Sequence, residues 1–221
     1  MFQPEEIQAA REAAGRLVGD PHPLVERLGS SRSVWETGRE ATEAMPRVED
    51  RASLRAFLRW YREELLLPVE VPAIRRAWRH QMRYEPSELL ALDLQLAGER
   101  RLRPFAGASR AVGRAQLRRL RPMRDQRLAR RYGEAVELGA AHGWHLLVHG
   151  LVLGVFSLPL RQGLVHYARQ TTAGFIWRAA GPLELRERDC HALFQEATRG
   201  LARAVSRHLH PTDRPTILIC R

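Results

Sequence analysis

Residues 50–67 read DRASLRAFLRWYREELLL, and this stretch decides the fold class. Leu54, Phe57, Leu58 and Tyr61 recur at i, i+3, i+4 and i+7, the apolar stripe of an amphipathic helix. Asp50 stands where an N-cap carboxylate accepts from the first turn. The same kind of signal continues in both directions. Upstream, PEEIQAAREAAGRLV at 4–18 puts Pro4 near the first helical position and acids in the first turn. A turn-rich GDPHP at 19–23 and a weaker helix near 33–45 follow it. Downstream, Pro68 and Pro72 are expected to stop one helix and start another, AIRRAWRHQMRY. Pro86 opens SELLALDLQLAGERRLR, with Leu89, Leu92, Leu96 and Arg100 on successive turns, and Pro104 ends or kinks that helix. Further helices are expected over about 105–121, 124–141, 145–157, 159–179 and 186–208. The stretch 145–157 is apolar all round and should lie at the centre. Thr216–Cys220 is the one strand-like run. No strands alternate with the helices and no period of about 20–50 residues repeats, so a parallel sheet and a solenoid are both set aside. The expectation is an all-α, single-domain bundle of about nine or ten helices. Its core should span about 33–208, with 209–221 as a C-terminal tail.

The chain has 221 residues, enough for one domain with a substantial core. Apolar residues make up 44% and charged residues 28%, which separates the chain from disordered compositions. Two cysteines, Cys190 and Cys220, are too few for a disulfide framework or a four-thiolate site. The start, MFQPEEIQ, has acids where a signal peptide needs basic and then apolar residues. The longest apolar run, Leu146 to Leu160, is shorter than the roughly 20 residues a membrane span needs. A soluble, cytoplasmic protein with no membrane partner is expected.

All 36 basic residues are arginine, and asparagine is absent as well as lysine. Both missing residues have A-rich codons, so a GC-rich genome explains part of the high net charge of +11. The distribution says more than the total. Residues 100–131 hold twelve arginines and one acid, Asp125, whereas the rest of the chain is balanced. Arg110, Arg114, Arg118 and Arg121 form one helical stripe, which Arg124, Arg127, Arg130 and Arg131 extend past Pro122. Guanidinium forks suit carboxylates and phosphates. The segment reads as a docking face for an acidic protein surface or, as the alternative, for nucleic acid; a solvated face in an arginine-biased chain is the plain structural reading. Only Phe105 and Tyr132 lie among these arginines, and no nucleic-acid-binding motif is present, so nucleic acid is the less favoured partner.

Catalytic signals are poor. GxSxG, GxxxxGK[ST] and GxGxxG are all missing, and the lack of lysine removes Schiff-base chemistry. Cys190 and His191 are adjacent on a helix and point apart. His142, His145 and His149 sit at i, i+3 and i+7, a spacing that places imidazoles on one helix face for a divalent metal if the helix is continuous. Gly143 interrupts the set, and the plain reading is a helix N-terminus with satisfied histidines near Trp144. His208 and His210 make a second, non-specific pair.

Residues 92–120, LDLQLAGERRLRPFAGASRAVGRAQLRRL, resemble the central signature of the UreF-type urease accessory proteins, a pattern close to LDxxLxAxRxxxELRxxSxxxGRxLL. Leu92, Asp93, Leu96, Arg100, Ser109, Gly113, Arg114 and Leu117 fall in register. Residues 145–167 are similar to the family's next segment through His145, Gly150, Gly154, Leu158, Pro159, Leu160 and Tyr167. Arg178 with Pro182-Leu183 resembles the family's Arg followed by PLGQ, and DRASLRAFLRWY resembles the helix after its first motif. The chain departs from the pattern at Pro104, Ala106 and Glu184-Leu185, and the glycine-rich first motif survives only as Gly38-Arg39-Glu40.

The resemblance implies an all-helical, non-enzymatic scaffold. It implies a homodimer that binds a UreD-type (UreH-type) accessory protein, recruits a nickel-carrying UreG-type GTPase and serves apo-urease. No cofactor is then expected on this chain, since nickel and GTP are handled by the partners. Arg100, Ser109, Gly113, Arg114, Arg118 and Tyr167 are the candidates for self-association or helix packing. Arg178, His208 and His210 are the candidates for partner docking. An adaptor for a different metallocentre GTPase is the related alternative.

Overall fold

A computed structural model describes His22, residues 48–120 and residues 126–209. Helix α1 (Arg51–Trp60) opens with a reciprocal cap. The Asp50 carboxylate accepts from the Ser53 N–H at 2.7 Å, and Ser53 Oγ accepts from the Asp50 N–H at 2.9 Å. The expected stripe of Leu54, Phe57, Leu58 and Tyr61 is buried.

Pro68 does not stop this helix. The chain continues through Tyr61–Glu70 as a wide helix with i→i+5 bonding, straight into α2 (Val71–Arg83). A proline in an ordinary helix clashes with the carbonyl four residues before it and leaves that carbonyl without a donor. The wider turn relieves the clash. The Glu64 carbonyl, four residues before Pro68, also accepts from the Arg101 guanidinium at 3.1 Å. Arg101 is itself held by Glu99 at 2.8 Å. One arginine of the basic segment thus ties the 3-10 turn to the wide segment of a distant helix.

Helix α3 (Pro86–Ala97) buries Leu89, Leu92, Asp93 and Leu96. It ends before Arg100, so that residue leaves the expected stripe and is exposed in the tight 3-10 turn Arg100–Phe105, which contains Pro104. Then follow α4 (Ala106–Leu120), α5 (Arg127–Glu137), α6 (His145–Val155), α7 (Leu160–Ala180), α8 (Glu187–Thr198) and α9 (Leu201–Arg207). The one helix expected over 186–208 is two, divided at Gly200, whose φ of +67° is left-handed.

Helix α6 is the central rod, with every residue except Val152 and Val155 buried. It packs against α2 and α4. Glycines permit the approach to α2: a Cβ on Gly150 would lie 2.6 Å from Ile74 O, and one on Gly154 would lie 2.5 Å from Gln81 Cγ. Both sequence numbers rise together along the contact, so α2 and α6 run parallel. Helix α7 packs against α8 and α9 on the other side, and one apolar cluster extends from Leu54 to Val205.

Among the described residues there is no strand, and the fold class is all-α. Among the described residues there are fewer separate rods than the nine or ten expected of the whole chain: the run from α1 through the wide segment into α2 is one uninterrupted helix, an effect offset by the division at Gly200, and two of the expected helices fall elsewhere. The helices expected at 4–18 and 33–45 and the run Thr216–Cys220 lie outside the described residues. No helix among the described residues is long and apolar enough to cross a membrane.

Candidate functional site

Two buried carboxylates organise the interior. Asp93, on α3, is fully buried. Its side chain accepts from Tyr132 Oη at 2.5 Å, from the His142 and Gly143 backbone N–H groups at 2.7 and 3.1 Å, and pairs with His142 Nδ1 at 2.9 Å. Its backbone carbonyl accepts from Trp144 Nε1 at 3.1 Å. One acid therefore ties α3 to α5 and to the turn that leads into α6. Burial, followed by the Asp93 charge, pushes the Tyr132 phenol well above its usual range, so it stays protonated and donates.

The turn is held from the other side by α4. A Cβ on Gly113 would lie 2.0 Å from Gly143 O and 2.9 Å from His145 N, so only glycine permits this crossing. Gly143 has φ +76°, a left-handed conformation. Ser109, one turn earlier on α4, is buried and bonds His145 Nδ1 at 2.7 Å. Arg110 lays its guanidinium over the Trp144 ring, 4.9 Å from the centroid.

The second carboxylate is Glu70, fully buried at the end of the wide helical segment. Tyr61 Oη donates to its Oε2 at 2.5 Å, Tyr167 Oη donates to the same oxygen at 3.2 Å, and His22 Nε2 meets Oε1 at 2.6 Å. His145 Nε2 lies 3.2 Å from Tyr167 Oη. With Tyr167 donating to Glu70, His145 donates to Tyr167 and accepts from Ser109, a tautomer assigned from the network. Three donors on one carboxylate offset the desolvation of its charge. Burial, then the charge of Glu70, pushes the Tyr61 and Tyr167 phenols well above their ordinary values. Burial lowers His145 well below the usual imidazole range, and it pushes His149 down to about 4. Both rings are neutral at physiological pH.

The surface of α4 and α5 is cationic. Arg114 and Arg118 are exposed and make no ion pair among the described residues. Arg127 and Arg131 are exposed on α5, and Arg130 pairs weakly with Glu134 at 3.6 Å. Arg121 and Arg124 lie outside the described residues. Arg178 is exposed in the last turn of α7.

The structure sorts the residues singled out by spacing. Ser109, Gly113 and Tyr167 lie inside the fold, where they pack helices, and not on a surface that a second copy can reach. Arg100, Arg114, Arg118 and Arg178 are exposed. His208 is half-buried, its Nδ1 on Ala204 O at 3.0 Å and its carbonyl bonded by Arg75 at 3.0 Å. His210 lies outside the described residues. His142, His145 and His149 do not form one ligand face: α6 starts only at His145, and the left-handed Gly143 turns His142 away to Asp93. Glu70 and His22 were missed by spacing. Glu70 did carry a signal, as the lone acid in LLLPVEVPAI at 65–74.

The model of the UreF family matches residues 48–180, more than half of the chain. The chain belongs to the UreF family. No curated protein matches it. UreF membership gives the chain a urease accessory role. The matched span runs from two residues before the α1 cap to the end of α7. It contains Glu70, Asp93, Ser109, Gly113, His145 and Tyr167. In this UreF chain the central signature is thus a packing code: Asp93, Ser109 and Gly113 all converge on the turn at 142–145.

Proposed function

We propose that the chain is a non-catalytic scaffold of urease maturation. It works in the cytoplasm as a homodimer, binds a UreD/UreH-type accessory protein and recruits a nickel-carrying UreG-type GTPase to apo-urease. Nickel and GTP are handled by those partners. The mechanism is positional: two copies present a composite surface that holds the GTPase and couples its nucleotide state to nickel release. Family membership carries this reading. Arg114 and Arg118, exposed and without an ion pair among the described residues, support it, because an excess of one sign of charge suits a partner of the opposite sign. Met82 in the last turn of α2 and Tyr84 just after it, with Phe156 and Leu158 after α6, are exposed at the same end of two parallel helices. An apolar patch of this kind supports self-association.

Full-length chain co-expressed with tagged UreD-type and UreG-type proteins of the same source should co-purify with them. An Arg114→Glu/Arg118→Glu variant should reduce the recovered complex at least about tenfold, the loss expected when charged interface contacts are reversed. Its Tm should change by no more than about 2 °C, since both side chains are exposed. A complex retained by the folded variant removes the arginine face from the interface. A wild-type chain that retains neither partner contradicts the scaffold itself.

A further inference from the structure

We propose that His22, Glu70 and His145 form a binding site for one divalent transition-metal ion in the centre of the fold. The inference stands independently of the scaffold reading. One ligand atom from each of the three residues lies within 4.8 Å of the other two, and all three residues are buried. Two imidazoles and a carboxylate are a donor set that suits zinc and nickel. The His22 and His145 ring centroids are 5.1 Å apart with the planes perpendicular. Two imidazoles bound through nitrogen at 2.0–2.1 Å to one tetrahedral ion place their centroids about 5.2 Å apart. The ring centroids are therefore spaced for an ion; to bind it, His22 Nε2 and Glu70 Oε1, now hydrogen-bonded at 2.6 Å, part to about 3.3 Å while His145 closes on them.

The outer partners of such a site are already in place. A metal-bound histidine needs its other nitrogen fixed, and a ligating carboxylate needs its second oxygen bonded. Ser109 Oγ lies 2.7 Å from His145 Nδ1. As a hydroxyl it can accept from Nδ1–H once Nε2 carries the metal. Tyr61 and Tyr167 both donate to Glu70 Oε2, which leaves Oε1, the oxygen facing His22, for the ion. Phe105, Phe175 and Tyr61 surround the His22 ring at 5.8, 5.4 and 5.6 Å and keep the site dry.

A second observation points the same way. His149 follows His145 by one turn on α6, is 3% exposed, and has neither ring nitrogen bonded among the described residues. Its ring lies 4.8 Å from that of Tyr167, whose hydroxyl contacts both Glu70 and His145. An imidazole buried with no partner is costly and calls for an explanation. A tetrahedral ion with three protein ligands has one further position, and His149, outside the set of donors within 4.8 Å of one another, would have to move to take it. His145 is the member of the histidine pattern that enters this cluster, and His149 follows it at i+4 against the Tyr167 ring.

Tag-free full-length chain, stripped with chelator and dialysed, should bind one Zn²⁺ or one Ni²⁺ per chain by calorimetry and elemental analysis. Its Tm should rise with metal concentration. Co²⁺ should bind with the same stoichiometry and give visible d–d absorption. His22→Ala should abolish stoichiometric binding, the Tm rise and the Co²⁺ spectrum together. Ser109→Ala should weaken affinity about 10- to 100-fold while keeping the stoichiometry, the effect of losing an outer partner. Metal-free melts of both variants establish that they are folded; if His22→Ala fails to fold, His22→Gln takes its place. A folded wild-type chain that binds none of the three ions overturns the proposal. So does unchanged stoichiometric binding in the folded His22 variant, which places the ion on surface histidines.

Discussion

Asp93→Ala should destabilise the protein by about 3–5 kcal/mol, the range for removing one partner from a buried charged network. The carboxylate is fully buried and is the acceptor for Tyr132 Oη and for the backbone N–H groups of His142 and Gly143. Its removal leaves those donors in the interior without water, opens a small cavity and frees His142, which pairs with it at 2.9 Å. At about 2–4 °C per kcal/mol for a chain of this size, Tm should fall on the order of 10 °C. Asp93→Asn keeps the volume but turns one acceptor into a donor facing other donors, so it should recover only part of the loss. Urea and thermal melts at neutral pH decide the matter. A loss below about 1 kcal/mol in Asp93→Ala would mean that the turn at 142–145 is held by other contacts.

Gly113→Ala is the second large effect, and two opposing terms set its sign. Alanine is better than glycine inside a helix by about 1 kcal/mol. Against that, the new Cβ would lie 2.0 Å from the backbone oxygen of Gly143. That oxygen cannot retreat freely, because Asp93 holds the Gly143 N–H at 3.1 Å and the residue's φ is +76°. Overpacking against fixed backbone costs about 1–3 kcal/mol or more, so the clash wins and the variant should lose about 2 kcal/mol net. Gly133→Ala is the matched control. Gly133 also lies inside a helix, α5, but nothing stands within 4 Å of its Cβ position, so it should gain about 0.5–1 kcal/mol. The same substitution moving stability in opposite directions at the two sites is the expected signature. Parallel behaviour would remove the close crossing of α4 over the turn.

The helices were legible where local periodicity decides them. The stripe Leu54, Phe57, Leu58 and Tyr61, the Asp50 cap, Pro86 at a helix start and the all-round apolar α6 are all found in the structure as the sequence implies. These signals need only neighbours within two turns. Pro68 misled because the helix widens around it, and part of what holds the widened segment is not local. At Glu64 O it is tied to Arg101, 37 residues away. The break at Gly200 was hidden because both flanking stretches share one apolar pattern.

The interior network was the least legible part, for the same reason. Ser109 and Gly113 were found through their spacing, which is compatible equally with self-association and with packing. Only the position of Gly143 O assigns them to packing. Glu70 was obscured by the expectation that helix α1 ends at Pro68, which placed it in a connection and not in the core. His22 joins Glu70 from 48 residues away, and its surroundings in sequence, GDPHP, read as a turn. The histidine pattern failed at one backbone angle, the positive φ of Gly143, which separates His142 from His145 and His149.

Urease should be purified from the source organism with and without the gene for this chain, under equal nickel supply, and its nickel content measured per active site. The account predicts metal-loaded urease in the parent, largely apo-urease in the deletion strain, and restoration when the chain is supplied again. Fully loaded urease in the deletion strain would contradict it.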